Sequence, residues 1–213
     1  MSGMERLGPF TYRQGGFPLG QDTLLLGRFA TLRRGGRVCD LGCGAGALPL
    51  LLLARESSLD LSGVELDGEA AALARRNLAE NGLSGVIRTG DLRRVREQFP
   101  AGCFDLVVSN PPYFPAGSGE SGGSARMELC CTLTQVCAAA AFLLKNGGRF
   151  ALVHRPERLA GLMEALGQSG LEPKRLQMVQ HDRDKPPAAV LVEAVRQGRP
   201  GLSVLPTLIL NER

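Results

Sequence analysis

The chain has 213 residues, 44% hydrophobic and 22% charged, with a net charge of +4. These are ordinary globular values that suit one domain with a substantial core. No apolar run approaches the ~20 residues of a membrane span, and the acidic residue in the opening MSGMERLGPF argues against a secretory signal, so a cytoplasmic protein is expected.

The segment up to Gly20, rich in Gly and Pro, reads as loop or short extended pieces. Asp22 is placed to cap a short helix through TLLLGRFATL that stops at Gly35-Gly36. A β/α alternation begins at Arg37. RVCDL reads as a strand, GCGAG as a glycine turn and ALPLLLLAR as an apolar helix. LDLSGVE follows as a strand, GEAAALARRNLAEN as a helix of good helix formers, and GVIRT and CFDLVVS as two more strands. A Gly/Ser loop runs from Phe114 to Ala125. MELCCTLTQVCAAAAFLL reads as a long helix stopped by Asn146-Gly147-Gly148, before the strand RFALVH. PERLAGLMEALGQSG is a helix with Pro at its start and Gly at its end. KRLQMVQH and AAVLVEAVR have only DRDKPP between them, so they form an antiparallel pair joined by a turn. The whole predicts an α/β fold of Rossmann-like type: a seven-stranded, mostly parallel sheet with one antiparallel strand and helices on both faces.

Ligands of such sheets bind beyond the carboxyl ends of the strands, and the motifs fall there. Asp40-Leu41-Gly42-Cys43-Gly44-Ala45-Gly46 turns from the first strand of the alternation into its helix, with glycines where a backbone approaches a ligand. Gly42, Gly44 and Ala47 also satisfy a loose dinucleotide fingerprint, so the glycines alone are ambiguous. Three carboxylates narrow the reading. Glu65 ends the next strand, where an acid accepts ribose hydroxyls. Asp91, in TGD, is placed to accept from an adenine amine. Asp40 sits where a carboxylate faces an ammonium group. A pyrophosphate gains nothing from that acid, whereas S-adenosylmethionine has no phosphate and is cationic there.

Ser109-Asn110-Pro111-Pro112-Tyr113 follows the fourth strand and is the most specific signal in the chain. An amine conjugated to a ring is a poor nucleophile because its lone pair is delocalised. Two acceptors on its hydrogens favour a pyramidal nitrogen with the lone pair directed at the methyl donor. Asn110 offers a side-chain carbonyl and Pro111 a main-chain carbonyl, and the prolines supply no competing N–H. Tyr113 is suited to stack on a flipped or unpaired base. Positioning and these acceptors do most of the work without a strong general base.

DLGCGAG, VELD and NPPY together resemble the class I methyltransferases of amino nitrogens. FTYRQ with Gln14, QDTLLLGRFA, NPPYF with the Arg126-x-Glu128 beyond it, HRPERLAGLMEAL and LEPKRLQMVQ are similar to one bacterial branch, the tRNA(Val) adenine-N6 methyltransferases. The resemblance implies a methyl transfer from S-adenosylmethionine to the N6 of an adenine in the anticodon loop. It implies a cofactor pocket of Gln14, Asp22, Asp40, Leu41, Gly42, Cys43, Gly44, Gly46, Glu65, Leu66, Asp91, Leu92 and Asn110, and a catalytic loop of Asn110, Pro111, Pro112 and Tyr113. The base and its RNA fall to Tyr113, Phe114 and Arg126. Residues 1–36 then form a cofactor- and substrate-side segment, 37–198 the methyltransferase domain, and 199–213 its C-terminal extension.

Other features have plainer readings. Cys39, Cys43, Cys103, Cys130, Cys131 and Cys137 form no C-x-x-C pair, and His154 and His181 stand alone, so reduced thiols and no metal are expected. The groups Arg33-Arg34-Arg37, Arg75-Arg76 and Arg93-Arg94-Arg96 are solvated faces or phosphate contacts. The rivals are a protein glutamine methyltransferase, disfavoured because only 39 residues precede Asp40, a DNA adenine methyltransferase, which would need a recognition insert, a guanine-N2 RNA methyltransferase, and a non-catalytic RNA-binding scaffold.

Overall fold

A computed structural model of the protein describes residues 4–15, 19–111 and 131–211. The opening segment forms a hairpin of β1 (Met4–Leu7) and β2 (Phe10–Arg13), the expected short extended pieces here paired antiparallel. Beyond it the alternation is β3 (Arg37–Leu41), α2 (Ala47–Arg55), β4 (Asp60–Glu65), α3 (Gly68–Glu80), β5 (Val86–Thr89) and β6 (Phe104–Ser109). After it come α4 (Leu133–Leu143), β7 (Leu144–His154), α5 (Leu159–Gln168), β8 (Leu171–Gln180) and β9 (Ala189–Arg196). The strands stand in the order β8-β9-β7-β6-β3-β4-β5, with β9 antiparallel to both its neighbours and every other pairing parallel. This is the seven-stranded sheet with one reversed strand. Two short strands, β10 (Ser203–Val204) and β11 (Leu208–Ile209), add to it by pairing parallel with β8.

The sheet buries both faces, which is why its inner strands are apolar runs rather than alternating ones. On one face α2, α3 and α1 (Gln21–Phe29) cover Val38, Leu61, Leu106, Val108 and Ala151. On the other, α4 and α5 cover Cys39, Leu41, Val107, Phe150 and Leu152.

Four boundaries differ from the sequence expectation. Helix α1 starts at Gln21 under Gly20, so Asp22 lies in its first turn and is not the cap. The helix ends at Phe29 rather than at Gly35-Gly36: the N–H of Ala30 still closes onto the carbonyl of Leu26, but the following one, that of Thr31, donates to the carboxylate of Glu193. Helix α4 begins at Leu133: Thr132 and Gln135 form a reciprocal capping box, Cys131 precedes it as irregular chain, and the rest of the expected MELCC start lies outside the described residues. Strand β7 follows α4 directly, and Asn146-Gly147-Gly148 lie inside it at a register shift opposite β6.

Candidate functional site

The turn after β3 is bent back onto β4 by two hydrogen bonds, from the N–H groups of Gly42 and Cys43 to the carbonyl of Val64, at 2.8 and 3.2 Å. Gly42, Gly44 and Gly46 all have positive φ, at 78°, 52° and 86°. Gly46 has a second reason to be glycine: it starts α2 against α3, where a Cβ would lie 3.2 Å from the Cα of Ala74. Glu65 closes the turn from the side. It is buried, and its two oxygens accept from the N–H groups of Gly44 at 2.7 Å and Asp67 at 2.9 Å.

Asp40 lies under the same turn. It is 1% exposed, and neither carboxylate oxygen has a hydrogen-bond partner. Burial holds its pKa well above the ordinary carboxylate range, and the neighbouring charge of Glu65 adds to the effect. A buried acceptor left unsatisfied is costly and calls for an explanation. A cationic ligand group at the turn supplies one. Cys43 is also buried, and its thiol is pushed up by burial first and by Asp40 and Glu65 next, which makes it an inert packing group.

Asp91 caps a 3-10 turn at Leu92–Glu97 and is held by Arg93, whose backbone N–H and guanidinium both donate to it. Those bonds, the guanidinium's above all, keep its carboxyl below the usual range. The sequence reading of Asp91 as an adenine acceptor did not foresee this partner. Leu66, just past Glu65, is 48% exposed, an apolar side chain at the mouth of the turn, and Leu92 is partly buried.

The end of β6 is tied to this region. Ser109 donates from its buried hydroxyl to the carbonyl of Leu41 at 2.7 Å, fixing the ends of β6 and β3 together. Asn110 comes next, and its Nδ2 donates to the Oγ1 of Thr23 on α1 at 2.9 Å. Pro111 is buried behind it. Asp22, beside Thr23, is half-buried. Burial raises its pKa, and the charges of Arg155 and His181 oppose that shift. Pro112, Tyr113, Phe114 and Arg126 lie outside the described residues.

Gln14 belongs to the hairpin, where its Nε2 donates to Glu5 at 2.6 Å. Two residues that sequence reasoning missed hold that hairpin to α3, and the first of them reaches the glycine turn as well. Asn77 is 1% exposed, accepts from the N–H of Arg13 at 3.0 Å, and donates to the carbonyls of Arg13 at 3.1 Å and Ala45 at 2.8 Å. One helical turn on, Asn81 makes matching bonds with both backbone groups of Thr11. The signal was present: Asn77 and Asn81 continue the stripe of Ala70, Ala74 and Leu78 that α3 turns inward, and amides on such a stripe need partners.

The arginine groups mostly serve neighbours. Arg94 pairs with Glu97 and Arg76 with Glu80, Arg37 pairs with Asp60, and Arg96 lies 4.6 Å over the ring of Phe142. Among the described residues no cluster of His, Cys, Asp and Glu is arranged to hold a metal ion, and no helix is long and apolar enough to cross a membrane. The described cysteines, Cys39, Cys43, Cys103, Cys131 and Cys137, are unbridged.

Comparison with known proteins shows the family. The methyltransferase small domain matches residues 19–168. A protein of Dickeya chrysanthemi named tRNA1(Val) (adenine(37)-N6)-methyltransferase is 34% identical over 160 residues, 70% of this chain and 63% of its own length. One of the same name from Tolumonas auensis is 32% identical over 82% of this chain and 74% of its own. The chain thus spans a little under two thirds of the Dickeya relative's length. Among solved structures, one described as a predicted O-methyltransferase from Agrobacterium tumefaciens superposes with a TM-score of 0.74 at 24% identity, covering 90% of this chain and 88% of its own. TrmN from Thermus thermophilus gives 0.62 at 26% identity, over 81% of this chain and 48% of that one. The chain belongs to the methyltransferase small domain family and, within it, groups with the proteins named tRNA1(Val) (adenine(37)-N6)-methyltransferase.

Proposed function

We propose that this protein methylates the exocyclic N6 of an adenine in the anticodon loop of a tRNA, with S-adenosylmethionine as the donor. The observation that carries the reading is the position of Asn110 and Pro111: they directly follow Ser109, which is hydrogen-bonded to the cofactor strand, and Val108 just before it is paired in the sheet with Asp40, whose buried carboxylate has no partner. S-adenosylmethionine, when bound, supplies an electrophilic methyl group next to a cationic amino acid moiety.

The residues divide the work. Asp40 faces the ammonium. Gly42, Gly44 and Gly46 let the backbone approach without Cβ atoms, and Leu41 and Cys43 pack the floor of the turn. Glu65 keeps a lone pair on each oxygen for ribose hydroxyls beyond its two backbone bonds. Asp91, Leu92 and Leu66 border the adenine, and Gln14 and Asp22 close the pocket from the N-terminal side. The Oδ1 of Asn110 and the carbonyl of Pro111 accept the two hydrogens of the target amine. That holds the amine in place and localises its lone pair. Pro112 supplies no competing N–H, Tyr113 and Phe114 are the residues to stack on the base, and Arg126 the one to neutralise a phosphate. The names of the relatives support tRNA and adenine N6 as the substrate.

The test is methyl transfer from labelled S-adenosylmethionine to bulk bacterial tRNA, rRNA and total protein in parallel, followed by nucleoside analysis. Label recovered from tRNA as N6-methyladenosine is expected, with Asn110→Ala reducing turnover by about 10²–10³-fold. Label in guanosine or in protein would refute the adenine reading.

A further inference from the structure

We propose that Thr23, which no part of the above assigns, is a positioning residue that anchors the Asn110 carboxamide by its Nδ2 end, in the orientation that offers Oδ1 to the target amine. The inference rests on the proposed role of Asn110. A carboxamide is ambivalent: turned by 180°, it presents N–H donors where an acceptor is needed. For an amine substrate the wrong orientation sets donors against donors and removes the pull on the amine hydrogens. In this structure Nδ2 of Asn110 donates to Oγ1 of Thr23 at 2.9 Å, so the acceptor end, Oδ1, lies on the other side of the group, away from α1.

Such a partner is useful only on a rigid mount, and α1 is one. Leu25, Leu26 and Phe29 of the helix are buried. Gly27 brings it so close to α2 that a Cβ there would lie 3.0 Å from the Cβ of Leu51. Arg55 of α2 holds the last turn by donating to the carbonyls of Gly27 at 2.5 Å and Ala30 at 2.9 Å. Thr23 itself sits in the first turn, its N–H bonded to the carbonyl of Gly20 at 3.1 Å. At the other end of the contact, Ser109 pins the residue before Asn110 to β3. Both halves of the Thr23–Asn110 bond are therefore held by the sheet and by α2, and their spacing is set independently of any substrate.

The experiment measures kcat and KM for unmodified tRNA, and the dissociation constant of S-adenosylhomocysteine, for wild type, Thr23→Val, Thr23→Ser, Asn110→Ala and the Thr23→Val/Asn110→Ala pair. Valine keeps the shape and removes the acceptor. The expected result is about a tenfold fall in kcat for Thr23→Val, with KM and cofactor affinity within about twofold and most of the rate restored in Thr23→Ser. In the double variant the valine costs nothing further, because there is no carboxamide left to orient. A purely structural threonine would give additive losses. If Thr23→Val keeps its full kcat, or if its loss lies in cofactor affinity, the proposal is overturned while an inactive Asn110→Ala leaves the function standing. If Asn110→Ala retains its rate, both fall. Should the valine variant not fold, Thr23→Ala carries the same expectations.

Discussion

Asp40 and Glu193 stand in one row of paired residues, Asp40–Val108–Ala151–Glu193, running across β3, β6, β7 and β9. They are 1% and 0% exposed. Glu193 is fully served: it accepts from the N–H and hydroxyl of Thr31 at 2.9 and 3.0 Å, from Arg149 at 2.7 Å and from Arg175 at 3.3 Å. Asp40 has no partner. Equal burial with opposite satisfaction separates a carboxylate that holds the fold from one that waits on a ligand. Glu193 binds the exit of α1 to β7 and β8, while Asp40, in the function proposed here, weakens the free protein and finds its partner in the cofactor.

Breaking the satisfied side has the largest effect on stability. Glu193→Ala strands two arginines and an N–H, and should lower the unfolding free energy by about 3–5 kcal/mol, as measured by urea denaturation. A loss under 1 kcal/mol would mean that Glu193 is no keystone.

The unsatisfied side behaves in the opposite sense. Because the folded pKa of Asp40 is raised, the folded state holds its proton more tightly than the unfolded chain does. Its carboxyl therefore costs nothing below the unfolded value of about 4 and destabilises progressively as the pH climbs through the raised value. Asp40→Asn should raise stability by about 1–3 kcal/mol at pH 8, and by less at pH 5. Thermal melts of the ligand-free protein at both pH values read the difference. A variant less stable than wild type at pH 8 would show that Asp40 is satisfied in solution after all.

A smaller effect sharpens the link between the two strand ends. Ser109→Ala removes the bond to Leu41 and leaves that carbonyl without its hydroxyl donor. The cost should be about 1 kcal/mol in stability, with a fall in kcat as Asn110 loosens. A kcat equal to that of wild type would mean that Asn110 is positioned without Ser109.

How much of this was legible beforehand depends on the range of the forces involved. The glycine turn, Glu65 at the end of β4, and α3 were legible because glycine conformations, strand ends and helix propensity act within a few residues. The capping box at Thr132 and Gln135 was equally local, but the apolar MELCC stretch before it masked the start of α4. The end of α1 was not local at all. Its last turn stops where Glu193, 162 residues away, takes the N–H of Thr31. The same holds for the site. Asp40, Glu65 and Asn110 could be named from their motifs. Asn77 and Thr23, which brace the glycine turn and contact Asn110, act through contacts 32 and 87 residues apart.

The most direct test of the account is calorimetric titration of S-adenosylhomocysteine, which carries the same amino acid moiety, into wild type and Asp40→Asn at pH 8. The account predicts that the variant binds about ten- to a hundredfold more weakly while melting at a higher temperature without ligand. Equal affinities would contradict it, since the buried carboxylate would then be no seat for the cofactor's ammonium.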